Sequence, residues 1–173
     1  MKNPGIRYGI IAFIITVIWT IAEHFLGWNT TNHETGQYAR LMGSFIFYFL
    51  VIVAIYQRRK QQGGRMSFGE GFSTGATVSV IYAAGCVLLY SVYGELINTQ
   101  YKPTLMAFER SKLEAAHASP DAIAAKMKQV DLSSGGSVLS YLLLFVFMFI
   151  FGAVIAVIVS LILKRNKVST NKN

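Results

Sequence analysis

The chain has 173 residues, 53% of them hydrophobic and only 14% charged, with a formal net charge of +8. A soluble domain carries about a quarter charged residues, so this composition argues against a soluble fold. The positive charge sits in short clusters at the ends of apolar blocks, and no basic stripe with interleaved aromatics points to nucleic acid. Cys86 is the single cysteine, so no intramolecular disulfide forms and the redox compartment cannot be read from it.

Met1 to Arg7 is a short basic start, and Ile6 to Leu26 is the first apolar block. A signal peptide competes with this reading. Glu23, His24 and Phe25 stand where a small-residue cleavage site belongs, so a retained helix is expected. Gly5 and Gly9, then Thr16 and Thr20, carry the four-residue spacing of helix-packing positions. Gly27 to Gln37 reads as a polar, turn-prone loop. It contains a sequon, Asn29-Thr30-Thr31, relevant only in a eukaryotic secretory host. The second block runs over 38–56, and its Phe45, Phe47, Tyr48 and Phe49 read as lipid and packing surface. Gln57 to Met66 is a basic turn containing glycine.

Ser67 precedes Glu70 by three residues, the spacing of a capping box that opens a helix. Beyond it, 72–97 contains no Lys, Arg, Asp or Pro and one acid, Glu95. At about 1.5 Å per residue this segment crosses a hydrocarbon core of roughly 30 Å with some tilt. Gly71, Gly75, Ser79 and Ala83 recur every fourth position, which puts them on one face. Apolar side chains gain little by meeting each other in lipid, so association rests on close backbone approach, which small residues permit. This third helix is the one against which the others are expected to pack.

The 98–137 segment is the long polar connection. Leu105, Phe108, Leu113 and Ala116 form a loose helical stripe. Ser119-Pro120 reads as an N-cap followed by proline at the first helical position, and Ile123, Met127 and Val130 then share a face. Two short amphipathic helices are predicted there, lying on the membrane surface or capping the bundle. The fourth block is 138–163. Its Gly152, Ala156 and Ser160 repeat the small spacing and are expected to face the stripe on the third helix. Lys164 to Asn173 is a polar tail, expected to fray. The predicted organisation is one membrane domain over 1–173, all-α, with four transmembrane helices (6–26, 38–56, 72–97, 138–163) and a helical outer loop.

Four spans place both termini on one side. That side carries ten basic residues, Lys2, Arg7, Arg58, Arg59, Lys60, Arg65, Lys164, Arg165, Lys167 and Lys172. The other carries six: Arg40, Lys102, Arg110, Lys112, Lys126 and Lys128. The bias predicts cytoplasmic termini and a periplasmic 98–137 loop.

Glu23 and Glu95 lie near the outer ends of helices, with Arg40 placed to pair with either. Ionisable residues in membranes are functional candidates because burying them is costly, but a position near the interface favours a structural pair. Glu23, His24, His33 and Glu34 offer metal-ligand types in no recognised metal spacing. Glu23 and His24 point about 100° apart on a helix, so a solvated polar loop is the better reading. His117 reads as a surface residue. No catalytic site, cofactor or metal is expected, and Gly69, Gly71 and Gly75 serve packing and capping rather than a phosphate loop.

These features together resemble a bacterial family, the domain-of-unknown-function family 4199. The resemblance lies in the Asn3-Pro4 start, the segment Gly63 to Gly75 (GGRMSFGEGFSTG) and the tyrosine-rich Tyr90 to Asn98 (YSVYGELIN). It extends to the helical outer loop and a final helix ending in Lys164-Arg165. One departure is Thr99-Gln100, where a proline is expected. The resemblance implies a four-helix inner-membrane protein of unassigned activity. The leading functional reading is a non-enzymatic bundle acting as a homo-oligomer or as a subunit of a membrane partner. The alternatives are a small proton-coupled transporter or channel-like protein using Glu23 or Glu95, and a metal-dependent enzyme around His24 and His33.

Overall fold

The computed structural model describes residues 3–164. Of these, 84% are helical and none is in a strand. The order is α1 (Pro4–Phe25), α2 (His33–Gln61), α3 (Phe68–Val92), a π-helical turn (Tyr93–Ile97), α4 (Tyr101–Ala115), α5 (Pro120–Ser133) and α6 (Val138–Leu163). Pro4–Phe25, His33–Gln61, Phe68–Ile97 and Val138–Leu163 are long and apolar enough to cross a membrane. The protein is therefore an all-α, polytopic membrane protein. The tail from Arg165, with Lys167 and Lys172, and Lys2 lie outside the described residues.

The helix ends follow the local chemistry. At α3, Ser67 N and Oγ each donate to Glu70 Oε2 at 2.8 Å, and Glu70 N donates to Ser67 Oγ at 3.3 Å. Both halves of the capping box are thus made. At α5, Ser119 Oγ accepts from Ala122 N at 3.3 Å, ahead of Pro120. The second span differs from its sequence expectation of 38–56. Asn32 Oδ1 accepts from Thr35 N at 3.1 Å and starts the helix at His33, so the end of the expected loop is helical. At the other end Arg58, Arg59 and Lys60 occupy the last turn, where their charge complements the helix dipole. Part of the expected basic turn is therefore helix, and the remaining turn reverses at Gly63 and Gly64, whose φ angles are +65° and +83°.

The chain forms two compact units. Among the described residues, the first comprises 3–15, Ser44–Ala84 and 147–164, and the second Thr16–Gly43 and Gly85–Val146. In the first unit the small faces of α3 and α6 meet in antiparallel register. A Cβ on Gly71 would stand 2.6 Å from Ser160 Oγ. One on Gly75 would run into Ala156 Cβ, and one on Gly152 into Ser79 Oγ. Each step of four along α3 meets a step of four back along α6, so the backbones lie as close as the missing side chains allow. Ser79, Ala83, Ala156 and Ser160 are fully buried. Ile150, Val154, Ile158 and Leu161 of α6 are about half exposed, the side a lipid tail would cover. A second close contact joins α1 to α3, where a Cβ on Gly5 would lie 2.8 Å from Thr77 Cβ and one on Gly9 2.9 Å from Ile81 Cβ. Larger groups fill the remaining space. Phe47 is buried and stacks on Tyr82 with ring centres 4.0 Å apart. Phe45 and Phe49 are exposed, as a lipid-facing side requires.

Candidate functional site

The polar groups of the second unit gather around the end of α1. Gly27 stops that helix with a φ of +76°, Trp28 N donating to Glu23 O and Gly27 N to His24 O. This is the Schellman pattern, in which a left-handed glycine satisfies the last carbonyls. It folds the following loop back, so that Asn29 reaches the side chain of Glu23. A side chain at Gly36 would strike the Trp28 carbonyl, so the first turn of α2 lies directly on this loop.

Glu23 is 3% exposed. Its Oε1 accepts from Trp19 Nε1 at 2.8 Å and its Oε2 from Asn29 Nδ2 at 2.9 Å. The Trp19 N–H is shared with the Ala39 carbonyl at 3.2 Å, which ties α1 to α2. Arg40 NH1 reaches Asn29 Oδ1 at 3.5 Å, and its charge acts on both Glu23 and His33. The network continues through buried Asn98. Its Nδ2 donates to Asn29 O at 2.8 Å and to the Tyr93 hydroxyl at 3.0 Å. Tyr93 lies 3.0 Å from His24 Nδ1 through the same hydroxyl. The π-helical turn makes this possible: Asn98 N bonds Tyr93 O at 2.7 Å, which brings both side chains to one side.

His33 is buried beside this cluster, with Nε2 2.9 Å from Thr104 Oγ1. The Thr104 hydroxyl also lies 2.7 Å from the Gln100 carbonyl and 3.1 Å from the Tyr101 carbonyl, which ties His33 to the first turn of α4. His33 Nδ1 is buried without a partner among the described residues. The ring packs between Tyr101 and Phe108 of α4, with centroids 6.0 and 5.9 Å away. Burial pushes the Tyr101 phenol above its ordinary pKa, so it stays neutral at physiological pH. α4 and α5 pack on each other through the loop between the third and fourth spans. Leu105 and Val130 are the buried members of their stripes, while Ala116 is exposed. Lys102 closes the hairpin, 2.6 Å from Asp131 Oδ1 and 3.2 Å from the Gly135 carbonyl.

The sequence candidates separate in this geometry. Glu23 and Arg40 belong to the buried cluster. Glu95 is exposed and accepts from the Tyr141 hydroxyl at 2.9 Å. Glu23 and His24 take different partners, and among the described residues no group of three or more His, Cys, Asp and Glu side chains is placed to hold a metal ion. His117 is exposed and left-handed, with a φ of 53°, at the end of α4, and Glu114 approaches Arg110 at 3.6 Å. Trp19, Asn29, Tyr93 and Asn98 are the residues sequence reasoning missed. Trp19 was open to discovery, since it stands one helical turn before Glu23. Asn98 is 69 residues from Asn29 and carried no local signal.

Residues 7–165 match the family described as Protein of unknown function (DUF4199). The chain belongs to this family. No curated protein and no solved structure matches it. Membership of DUF4199 agrees with the resemblance carried by Gly63 to Gly75 and Tyr90 to Asn98, and it assigns no activity to the Glu23 cluster.

Proposed function

We propose that this protein acts through binding rather than catalysis, as a multi-pass protein of the bacterial inner membrane with both termini in the cytoplasm. In this reading the spans hold the α4–α5 hairpin on the periplasmic side, and the protein works as a homo-oligomer or as a subunit of a membrane partner. The observation that supports it is the state of Glu23. A carboxylate used for proton coupling needs access to water during its cycle. Glu23 is instead held by an indole N–H and an amide N–H of its own chain, at 2.8 and 2.9 Å, in a buried setting. That arrangement suits a fixed anchor between α1, the following loop and α2. Glu95, the other acid considered for coupling, sits exposed at a helix end with Tyr141. The charge bias of the turns supports the orientation.

The test is cross-linking in native membranes, with reactive groups placed at exposed hairpin positions such as Lys128 and Ala124. A specific cross-linked species, either a second copy or one membrane protein, is expected. Proton flux in proteoliposomes that Glu23→Gln abolishes would replace this reading with transport.

A further inference from the structure

His33 opens α2, in the polar turn ahead of the apolar 38–56 block, and is 3% exposed. Three residues of α4 enclose its ring. Nε2 lies 2.9 Å from Thr104 Oγ1, and the Tyr101 and Phe108 ring centres are 6.0 and 5.9 Å away. Tyr101, Thr104 and Phe108 are spaced three and four apart, so one face of α4 meets the imidazole. Lys112, one turn further along that face, lies 3.5 Å from Gln37 Oε1 in an exposed position. The histidine is thus a buried tie between the helical hairpin and the start of the second span.

A neutral imidazole carries one N–H and a charged one carries two. The charged ring would place an N–H on Nδ1, which is buried with no acceptor among the described residues. Its charge would be buried, would face the Arg40 guanidinium and would sit at the positive end of the α2 dipole. Glu109 of α4 is the nearby group that favours a cation, and Lys126 of α5 reaches that carboxylate at 3.8 Å. The remaining ionisable groups are placed otherwise. Tyr101 stays neutral, and Glu34, next to His33 in sequence, is exposed. Glu23 is held by Trp19 and Asn29, and His24 lies against the Tyr93 hydroxyl.

We propose that His33 is a pH-sensitive latch: uncharged, it holds α4 against the start of α2, and charged, it releases it. Once α4 leaves, the ring is in water and takes up a proton as a free imidazole does, around pH 6.5. The released form therefore binds more protons than the docked form, and docking weakens as the pH falls below that value. For one such group the docking constant drops about tenfold between pH 7.5 and 5.5. The latch itself needs no partner. That acid thereby loosens a contact surface rests on the hairpin being the part that binds.

The experiment is hydrogen–deuterium exchange of the full chain in detergent, read by mass spectrometry at pH 7.5 and 5.5 and corrected for the intrinsic pH dependence of exchange. α4 has 15 residues, and an isolated helix of that length is marginal in water, so undocking exposes its amides. Peptides covering 101–115 should lose about tenfold in protection at pH 5.5, while peptides of α6 keep theirs. His33→Gln and His33→Phe carry no titratable ring. Both should show equal protection of 101–115 at the two pH values, even where they lower it. His117→Gln, at the exposed end of α4, should keep the full drop. Unchanged protection in the unsubstituted protein overturns the proposal, as does an equal loss in α6. A drop that survives in both His33 variants, or that vanishes in His117→Gln, overturns it too. Each reading uses the protein alone, so a failed search for a partner leaves the latch standing and a failed latch leaves the partner standing.

Discussion

The two units hold their helices together by opposite means. In the first, α3 and α6 meet where side chains are nearly absent, at Gly71 with Ser160, Gly75 with Ala156 and Ser79 with Gly152. In the second, contacts run through polar side chains: Trp19 to Glu23, Asn29 to Glu23, Asn98 to Tyr93 and His33 to Thr104. The first solution needs no partner chemistry, only the absence of bulk, because in lipid close backbone approach is what association rewards. The second buries polar atoms, each of which must find a specific mate. A close-packed face fails when an atom is added, and a polar cluster fails when one is exchanged.

That contrast gives a ranked set of expectations. The largest effect belongs to Gly75→Leu, which forces a side chain into Ala156 and Ile55. SDS-titrated unfolding in mixed micelles should show a loss of about 3 kcal/mol, at the upper end for overpacking, with Gly75→Ala losing less. Next comes Glu23→Gln, which turns one acceptor into a donor facing Trp19 or Asn29. A loss of about 1–3 kcal/mol is expected in the same assay, the cost of leaving a buried donor unsatisfied. If Glu23→Gln proved as stable as the unsubstituted protein, the second unit would not depend on this network. Lys102→Ala should matter less, because the Lys102–Asp131 side chains are 31% and 56% exposed. The pair is worth under about 1 kcal/mol and should weaken further with added salt, read as a small shift in the thermal midpoint. Glu95→Gln should be smallest, within about 0.5 kcal/mol, because Glu95 is exposed and its bond to the Tyr141 hydroxyl is open to solvent. A large loss there would place Glu95 within the polar core instead of at its edge.

The contrast also separates what the sequence revealed from what it hid. Small residues every fourth position are a local pattern, so the faces of α3 and α6 were readable before any coordinates. The Ser67–Glu70 box and the Ser119-Pro120 start are local too, and both form. The polar cluster is assembled from distant pieces. Nothing near Glu23 announces Asn98, and the π-helical turn that aims Asn98 has no residue signature in Tyr93–Ile97. The early start of α2 was hidden for a related reason. His33 to Gln37 is polar and read as loop, yet Asn32 caps it and buried His33 docks on Thr104. Charge and position make Arg40 a candidate partner for either acid, and geometry places it with Asn29 beside Glu23.

The most direct test of the close-packed register is a disulfide between Gly71→Cys and Ser160→Cys, made in membranes with Cys86→Ala as background. A Cβ on Gly71 would lie 3.0 Å from Ser160 Cβ, so a small adjustment reaches the separation of about 3.8 Å that a disulfide needs. Mild oxidation should close this bridge within one chain, while Gly71→Cys with Ile158→Cys, on the half-exposed side of α6, should stay reduced. Bridging at 158 as fast as at 160 would contradict the antiparallel small-residue contact and, with it, the account of how these spans hold together.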